Sequence, residues 1–441
     1  MIEITLNITT LSPLAVSRRK PGAVSEAEDH IPGSVIRGAI AGQILQQSGQ
    51  LSTNFLHAEF GDEFQTLFVS EQPAIFQNAY PAVAKVEQQL NPNKEKSESI
   101  SQIVSEKIHI LPATSVSSKT NPGFKPKGNG VFDTLIDRFC ADAYNYPYDP
   151  SCPKDKGRVE PYSGFYSCNS DNKYYSHSVD TRFLTRVGIN RRRATSEEDI
   201  LYSIQVLNES FLDSPKQKNW HNYVYISAIL VENTELAQKL VDFINVNHQN
   251  FRLGGATSRG LGKVDITATI NNTSSDLETR FNKFNEKLKE RWQLWSVFSE
   301  KEFPAERSFF TIDLQADAIL TENWCRTTVI SPAMLCQFVG LETEFSQLDQ
   351  EQDDFIKLEV AYSSHDYRSG WNSAWGLMKD VELVTNRGGV YLFSTNANKK
   401  TLWIDKLKQL ELNGVGERTC EGFGQIYICN PFHLVTRETA K

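Results

Sequence analysis

One nine-residue spacing, G-x-x-T-x-x-G-x-G, occurs twice in this chain, each time between an amphipathic helical stretch and an alternating strand. The first copy places Gly254, Thr257, Gly260 and Gly262, with Gly255 beside the first; the second places Gly416, Thr419, Gly422 and Gly424. A repeated helix–loop–strand ending constrains the chain to two related halves. Glycine reaches positive φ freely and lets another backbone or a ligand come close. Such a loop can turn a row of N–H groups toward an anion. The plainer reading is a pair of tight turns in which glycine serves geometry alone. Charge separates the copies. Arg252, Arg259 and Lys263 accompany the first, whereas Glu417, Arg418 and Glu421 occupy the second. A phosphate-bearing ligand favours the first. A nucleotide P-loop and a Rossmann fingerprint are both excluded, because they run strand to loop to helix.

The pattern around the first loop predicts β-α-β-β-α-β with large insertions. Ile2, Ile4, Leu6 and Ile8 alternate as a half-buried strand. Residues 31–49 predict a helix entered at Pro32–Gly33 and capped by Ser34, with Ile36, Ile40 and Ile44 on its apolar face. Further strands are expected at 73–80, 108–116, 177–184, 200–207 and 223–231. A helix is expected at 234–248 and a strand at 264–270. That order matches the ferredoxin-like arrangement. Residues 85–107 and 122–173 read as insertions, the second irregular and rich in Gly, Pro, Asn and Tyr. Residues 271–306 read as a helical connector. A second domain spans 307–441, with strands at 309–316, 355–362 and 389–394 and a helix at 402–412 before the second loop. The division is thus 1–270, 271–306 and 307–441, and the class is α+β with two tandem ferredoxin-like (RRM-like) domains.

A chain of 441 residues is long enough for two or three domains. Its net charge of −8 excludes a surface that coats nucleic acid everywhere, but leaves room for one basic groove. Two clusters suit such a groove: Arg18, Arg19 and Lys20, and Arg191, Arg192 and Arg193. No membrane partner is expected, because the apolar runs are only strand-sized. The N-terminus alternates like a strand and lacks a signal-peptide pattern. Seven cysteines without a C-x-x-C pair fit a reducing, cytoplasmic setting.

The glycine loop closing a ferredoxin-like unit, together with Ile31-Pro32-Gly33-Ser34-Val35-Ile36-Arg37-Gly38, resembles the RAMP superfamily of CRISPR-associated RNA-binding proteins. The duplication, Ser369-Gly370-Trp371-Asn372 and Gly388-Gly389-Val390 resemble the large two-RAMP-domain subunit of type III-D effector complexes. The resemblance implies a subunit of a crRNA-guided ribonucleoprotein in antiviral defence. It would hold the 5′ handle of crRNA, dock the backbone RAMP subunits and the large nuclease-bearing subunit, and meet target RNA indirectly. By motif, Gly254, Gly255, Gly260 and Gly262 would approach the RNA backbone, with Arg37 near the same groove. The acidic residues of the second loop depart from that pattern and point to a protein-facing surface.

Arg182 and Arg186, with the cluster 191–193, supply guanidinium forks, and Tyr174, Tyr175 and Phe183 offer stacking faces for unpaired bases. A solvated hairpin turn explains the same residues. Trp371 and Trp375, four apart, read as a core-facing cluster. Metal-independent RNA cleavage would need a general base beside a cation: His30 near Arg37, or His177 near Arg182 and Arg186. Asp29 is the metal-dependent alternative. Each lacks visible partners, so the expectation is no catalysis, with a processing endoribonuclease and a pure protein scaffold as alternatives. Cys140, Cys152 and Cys168 with His177 lack the tight spacing of a zinc site, so neither metal nor cofactor is expected.

Overall fold

The computed structural model describes residues 1–17, 26–47, 62–88, 98–190, 195–213, 219–271, 276–298, 301–348, 352–372 and 376–441. The expected basic clusters Arg18, Arg19, Lys20 and Arg191, Arg192, Arg193 lie outside the described residues, as does Trp375. The chain is α+β and its sheets are antiparallel.

In the N-terminal half, β1 (Ile2–Thr10) leads to α1 (Gly33–Gln47) and β2 (Ile75–Phe76). Then come β3 (Val224–Val231), α2 (Thr234–Val246) and β4 (Val264–Asn271). The strands lie in the order β4-β1-β3-β2. Alternation turns Ile4, Leu6 and Ile8 inward, where they meet Ile36 and Ile40 of α1 and Leu236, Leu240 and Ile244 of α2. Asn233 caps α2 by accepting from the amides of Glu235 and Leu236. The expected Ser34 cap of α1 is displaced. The helix already includes Gly33, whose N–H donates to Asn78 Oδ1 at 2.8 Å, so a side chain 45 positions away satisfies that amide.

The C-terminal half repeats the order. It contains β5 (Arg307–Leu314), α3 (Pro332–Phe338), β6 (Lys357–Tyr362), β7 (Val390–Asn396), α4 (Lys400–Asn413) and β8 (Ile426–Ile428). The strands stand as β6-β7-β5-β8. Here β5 is buried on both faces from Ser308 to Leu314. Phe310 packs on Trp403 of α4, with ring centroids 5.8 Å apart, and Phe309 meets Phe139 at 5.7 Å. Burial of side chains this large contributes about 1.5–3 kcal/mol each.

Phe139 belongs to the segment 122–173, which composition alone marks as irregular. That segment contains the strand Val131–Asp133, the helix Leu135–Ala143 and the strand Phe165–Cys168. Leu135, Ile136 and Cys140 join the core of the C-terminal half. The helix Leu277–Trp295 also does more than connect, burying Leu277, Phe281, Phe284, Leu288 and Trp292 in that core.

Candidate functional site

The two glycine loops share one backbone plan. In the first, Gly254 sits at φ +83° with Ala15 O only 2.6 Å from where a Cβ would stand, and Gly255 N–H donates to Ala15 O. In the second, Gly416 sits at φ +80° against Ile319 O at 2.3 Å, and Glu417 N–H donates to Ile319 O. Left-handed residues follow at Ala256 and Arg418, each opening a 3-10 turn, Thr257–Arg259 and Thr419–Glu421. Gly262 and Gly424 then pass so near Leu253 O and Val415 O that no side chain fits. The loop amides of Gly255, Arg259, Gly260 and Gly262 all donate within the protein. Gly254, Gly262, Gly416 and Gly424 therefore serve close backbone crossing, and the loops present side chains and a shaped edge.

These loops converge. A cleft of about 710 Å³ is lined by Gly254, Gly255 and Thr257 of the first loop and Arg418, Gly422 and Phe423 of the second. Between them stand Pro32, Ser34 and Val35 at the start of α1. Gly422 reaches this position by lying against Gly33 and Asn78, where an added Cβ would fall 2.5 Å from Asn78 Oδ1 and 3.0 Å from Gly33 N. The second loop thus docks on the first half through the helix that both halves share at the cleft.

Charges at the cleft and beside it pair across the halves. Arg368 bridges Glu28 and Asp317, and Arg387 Nη2 donates to Asp29 Oδ2 at 2.5 Å. His30 is buried, with Nδ1 2.9 Å from Asp29 Oδ1 and 3.0 Å from Arg387 Nη1. Burial opposes ionisation of Asp29, yet the His30 hydrogen bond and the Arg387 guanidinium hold its carboxyl well below the usual range. Asp317 is likewise lowered, burial being outweighed by Arg368 and by Arg387. Glu28, Asp29 and His30 form a group of ligating side chains close enough to hold a cation, but the two guanidinium groups already neutralise it.

The loop acids are paired as well. Glu417 meets Arg326, which holds its carboxyl low. Glu421 Oε2 accepts from Arg418 at 2.5 Å, and this outweighs the burial that would raise it. Among the described lining residues, Arg252 and Lys379 carry cations with no carboxylate partner within ion-pair distance.

The expected RNA-facing residues divide accordingly. Arg252, Gly254 and Gly255 line the cleft. Arg259 and Arg186 come together at the outer tip of the first loop: Arg186 Nη1 donates to Arg259 O at 3.1 Å, and Arg259 Nη1 donates to Tyr202 Oη at 2.7 Å. Gly260 is exposed at the same tip, Gly262 is buried beneath it, and Lys263 is exposed on the strand side. Arg37 is directed elsewhere, donating to Phe68 O at 2.5 Å and lying over the Phe68 ring. Arg182 is held by Glu209 at 2.7 Å and by Asn208. His177 is buried against Ser167 Oγ at 2.9 Å, and burial lowers its pKa to about 4, so it is neutral. Among the described residues, Cys140, Cys152, Cys168 and His177 do not gather as a metal-binding group, and all seven cysteines are free. Trp371 pairs with Met378 in a short strand, not in a helix.

Sequence reasoning missed Asn78, Asp317, Arg368, Lys379 and Arg387. The one usable signal was glycine. Arg368 stands two residues before Gly370, and Arg387 directly precedes Gly388–Gly389. Among the described residues, no helix is long and apolar enough to cross a membrane.

A sequence model of the RAMP superfamily matches residues 7–265. No curated protein matches the chain. Among solved structures the chain is similar to one in type III-B Cmr-beta bound to cognate target RNA and AMPPnP. That match has 12% identity and a TM-score of 0.36, and covers 92% of this chain and 88% of that one. A Cas6 product complex matches at 11% identity and TM-score 0.28, over 48% and 78% of the two chains. Oligomeric Cmr4 from Pyrococcus furiosus matches at 10% identity and TM-score 0.23, over 61% and 99%.

Proposed function

The chain belongs to the RAMP superfamily, and from that membership we propose that it is a non-catalytic RNA-binding and assembly subunit of a type III CRISPR effector ribonucleoprotein. We read its two sheets, each in the order fourth-first-third-second, as tandem ferredoxin-like domains. The 5′ handle of crRNA lies in the cleft where the two glycine loops meet. Backbone RAMP subunits and the large nuclease-bearing subunit dock around it in the cytoplasm, and target RNA is met indirectly. By its motifs the chain resembles the large two-RAMP-domain subunit of type III-D complexes.

One observation carries this reading: both glycine loops edge a single cleft. Of its lining carboxylates, Glu28, Asp317, Glu382 and Glu421 are ion-paired among the described residues and Asp380 is not. They therefore repel a polyanion less than their number suggests, while Arg252 and Lys379, with no carboxylate partner there, remain available to phosphates. Arg186, Arg259 and Tyr202 extend the same path along the tip of the first loop. Against a processing endoribonuclease stand the two histidines. His177 is buried, and a pKa lowered to about 4 makes it a weak base, while His30 is engaged by Asp29 and Arg387.

The test is a salt titration of handle-RNA binding. Arg252→Glu and Lys379→Glu should each weaken binding, and each should reduce the slope of log K against log salt by about 0.7 per lost contact. Arg37→Glu, outside the cleft lining, should change affinity less. Equal affinity for wild type, Arg252→Glu and Lys379→Glu removes the cleft from the proposal. Repeat RNA incubated with the chain should remain uncut.

A further inference from the structure

The strands Leu320–Glu322 and Cys325–Thr327 form a hairpin whose two-residue loop is Asn323–Trp324. Both loop residues have positive φ, +49° and +66°, the geometry of a type I′ turn. Asparagine suits the first position and glycine the second. Tryptophan there is strained, since an L side chain at such φ crowds its own backbone. Trp324 is also 100% exposed, so its ring stabilises nothing within the chain. A large apolar ring at a strained, fully solvated tip has no intramolecular explanation.

The surroundings define what would cover it. Arg326 ties the hairpin to Glu417 of the second glycine loop and to Glu382 of the neighbouring hairpin. Glu322 is held by Ser331. Two carboxylates therefore share one guanidinium, and Glu322 adds a third carboxylate to the same hairpin, so its base carries more negative than positive charge. The neighbouring segment, 365–385, leaves Tyr367, Leu377 and Val381 about three-fifths exposed. An apolar knob on an acidic base, beside further exposed apolar side chains, suits a protein pocket with a basic rim.

We propose that Trp324 is the anchor of a protein–protein interface on the C-terminal half, inserted into an apolar pocket rimmed by Lys or Arg on an adjoining subunit. The proposal rests on the effector-subunit reading only for the choice of proteins to try.

Trp324→Gly is suited to the test because glycine relieves the turn. Purified backbone RAMP subunits and the large nuclease-bearing subunit are titrated separately against wild type, Trp324→Gly and Trp324→Phe, with handle RNA measured in parallel. Affinity for one of those proteins should fall about tenfold or more in Trp324→Gly, and Trp324→Phe should recover most of it. Its Tm should not fall below wild type, and RNA affinity should not change. Unaltered affinity for every subunit overturns the proposal. So does a loss confined to RNA, which would make the hairpin a base-stacking element. Failure of wild type to bind RNA would instead count against the cleft, leaving the protein titrations decisive for Trp324.

Discussion

His433 is enclosed between two carboxylates from distant parts of the chain. Nε2 lies 2.8 Å from Asp313 Oδ2 on β5, and Nδ1 lies 3.1 Å from Asp133 Oδ1 in the segment 122–173. Burial alone would strip its proton, but Asp313 and Asp133 reverse that effect and raise its pKa to about 10. A raised pKa favours the folded state most fully below the unfolded value of about 6.5, and that contribution is lost as pH rises through about 10. His433→Gln should therefore destabilise the chain strongly near pH 6.5, by about 3–5 kcal/mol, because two buried carboxylates lose their counter-charge. The difference between variant and wild type should narrow toward pH 10. Denaturation curves at pH 6.5, 8 and 10 measure it; a constant difference would mean that folded His433 is neutral.

The paired loops show how an element encodes its own contacts. Gly254 and Gly416 stand at matching places, each pressed against a carbonyl of the segment that follows the first strand of its half. Gly260 has a similar φ of +85°, but no atom lies within 4 Å of its missing Cβ. Gly260→Ala should therefore cost only the left-handed backbone penalty, about 1–2 kcal/mol. Gly254→Ala and Gly416→Ala should cost clearly more, since the backbone must also move. Thermal melts of the three variants rank them, and equal losses would mean that the crossing is not tight.

That logic explains what was legible in the sequence. The spacing of glycines records backbone crossings, so the duplicated loop and its helix–strand setting could be read without coordinates. The alternation of Ile2, Ile4, Leu6 and Ile8 revealed β1 for a comparable local reason. Charge pairing is not local. Glu417 reads as a repulsive loop acid until Arg326, 91 positions earlier, is placed beside it. Asn78 serves Gly33 across 45 positions, and Arg368 reaches Glu28 across 340. Composition misled at 122–173, where Gly, Pro and Tyr suggest irregularity but Phe132, Leu135 and Cys140 are buried.

Across the whole molecule the halves interlock. Val131 exchanges backbone hydrogen bonds with the terminal Lys441, and Asp133 N–H donates to Val435 O. Phe132 shares a cluster with Phe432, Val435 and Ala440. The helix Leu135–Ala143 lies within the first 270 residues, yet it completes the core built on β5 and the helix Leu277–Trp295. Tyr80 donates to Gln315 O, and Ala113 N–H donates to Gly388 O at 2.7 Å, adding polar ties beside the cleft. A fragment of residues 1–270 would consequently leave Leu135, Ile136 and Cys140 without the core they pack in, while Phe132 would keep Leu111, Phe124 and Tyr166, and Val131–Asp133 its pairing with Ser115–Ser117. At about 25 cal/mol per Å² of apolar surface, the helix Leu135–Ala143 loses the burial that core supplies. Amide hydrogen exchange of the fragment should find 135–143 unprotected while β1 and β3 remain slow. The full chain should protect all three, and adding residues 271–441 in trans should restore protection to 135–143. Protection of 135–143 in the fragment alone would show that the first half closes its own core. The cleft would then be a contact between two independent domains, not the seam of one interlocked body.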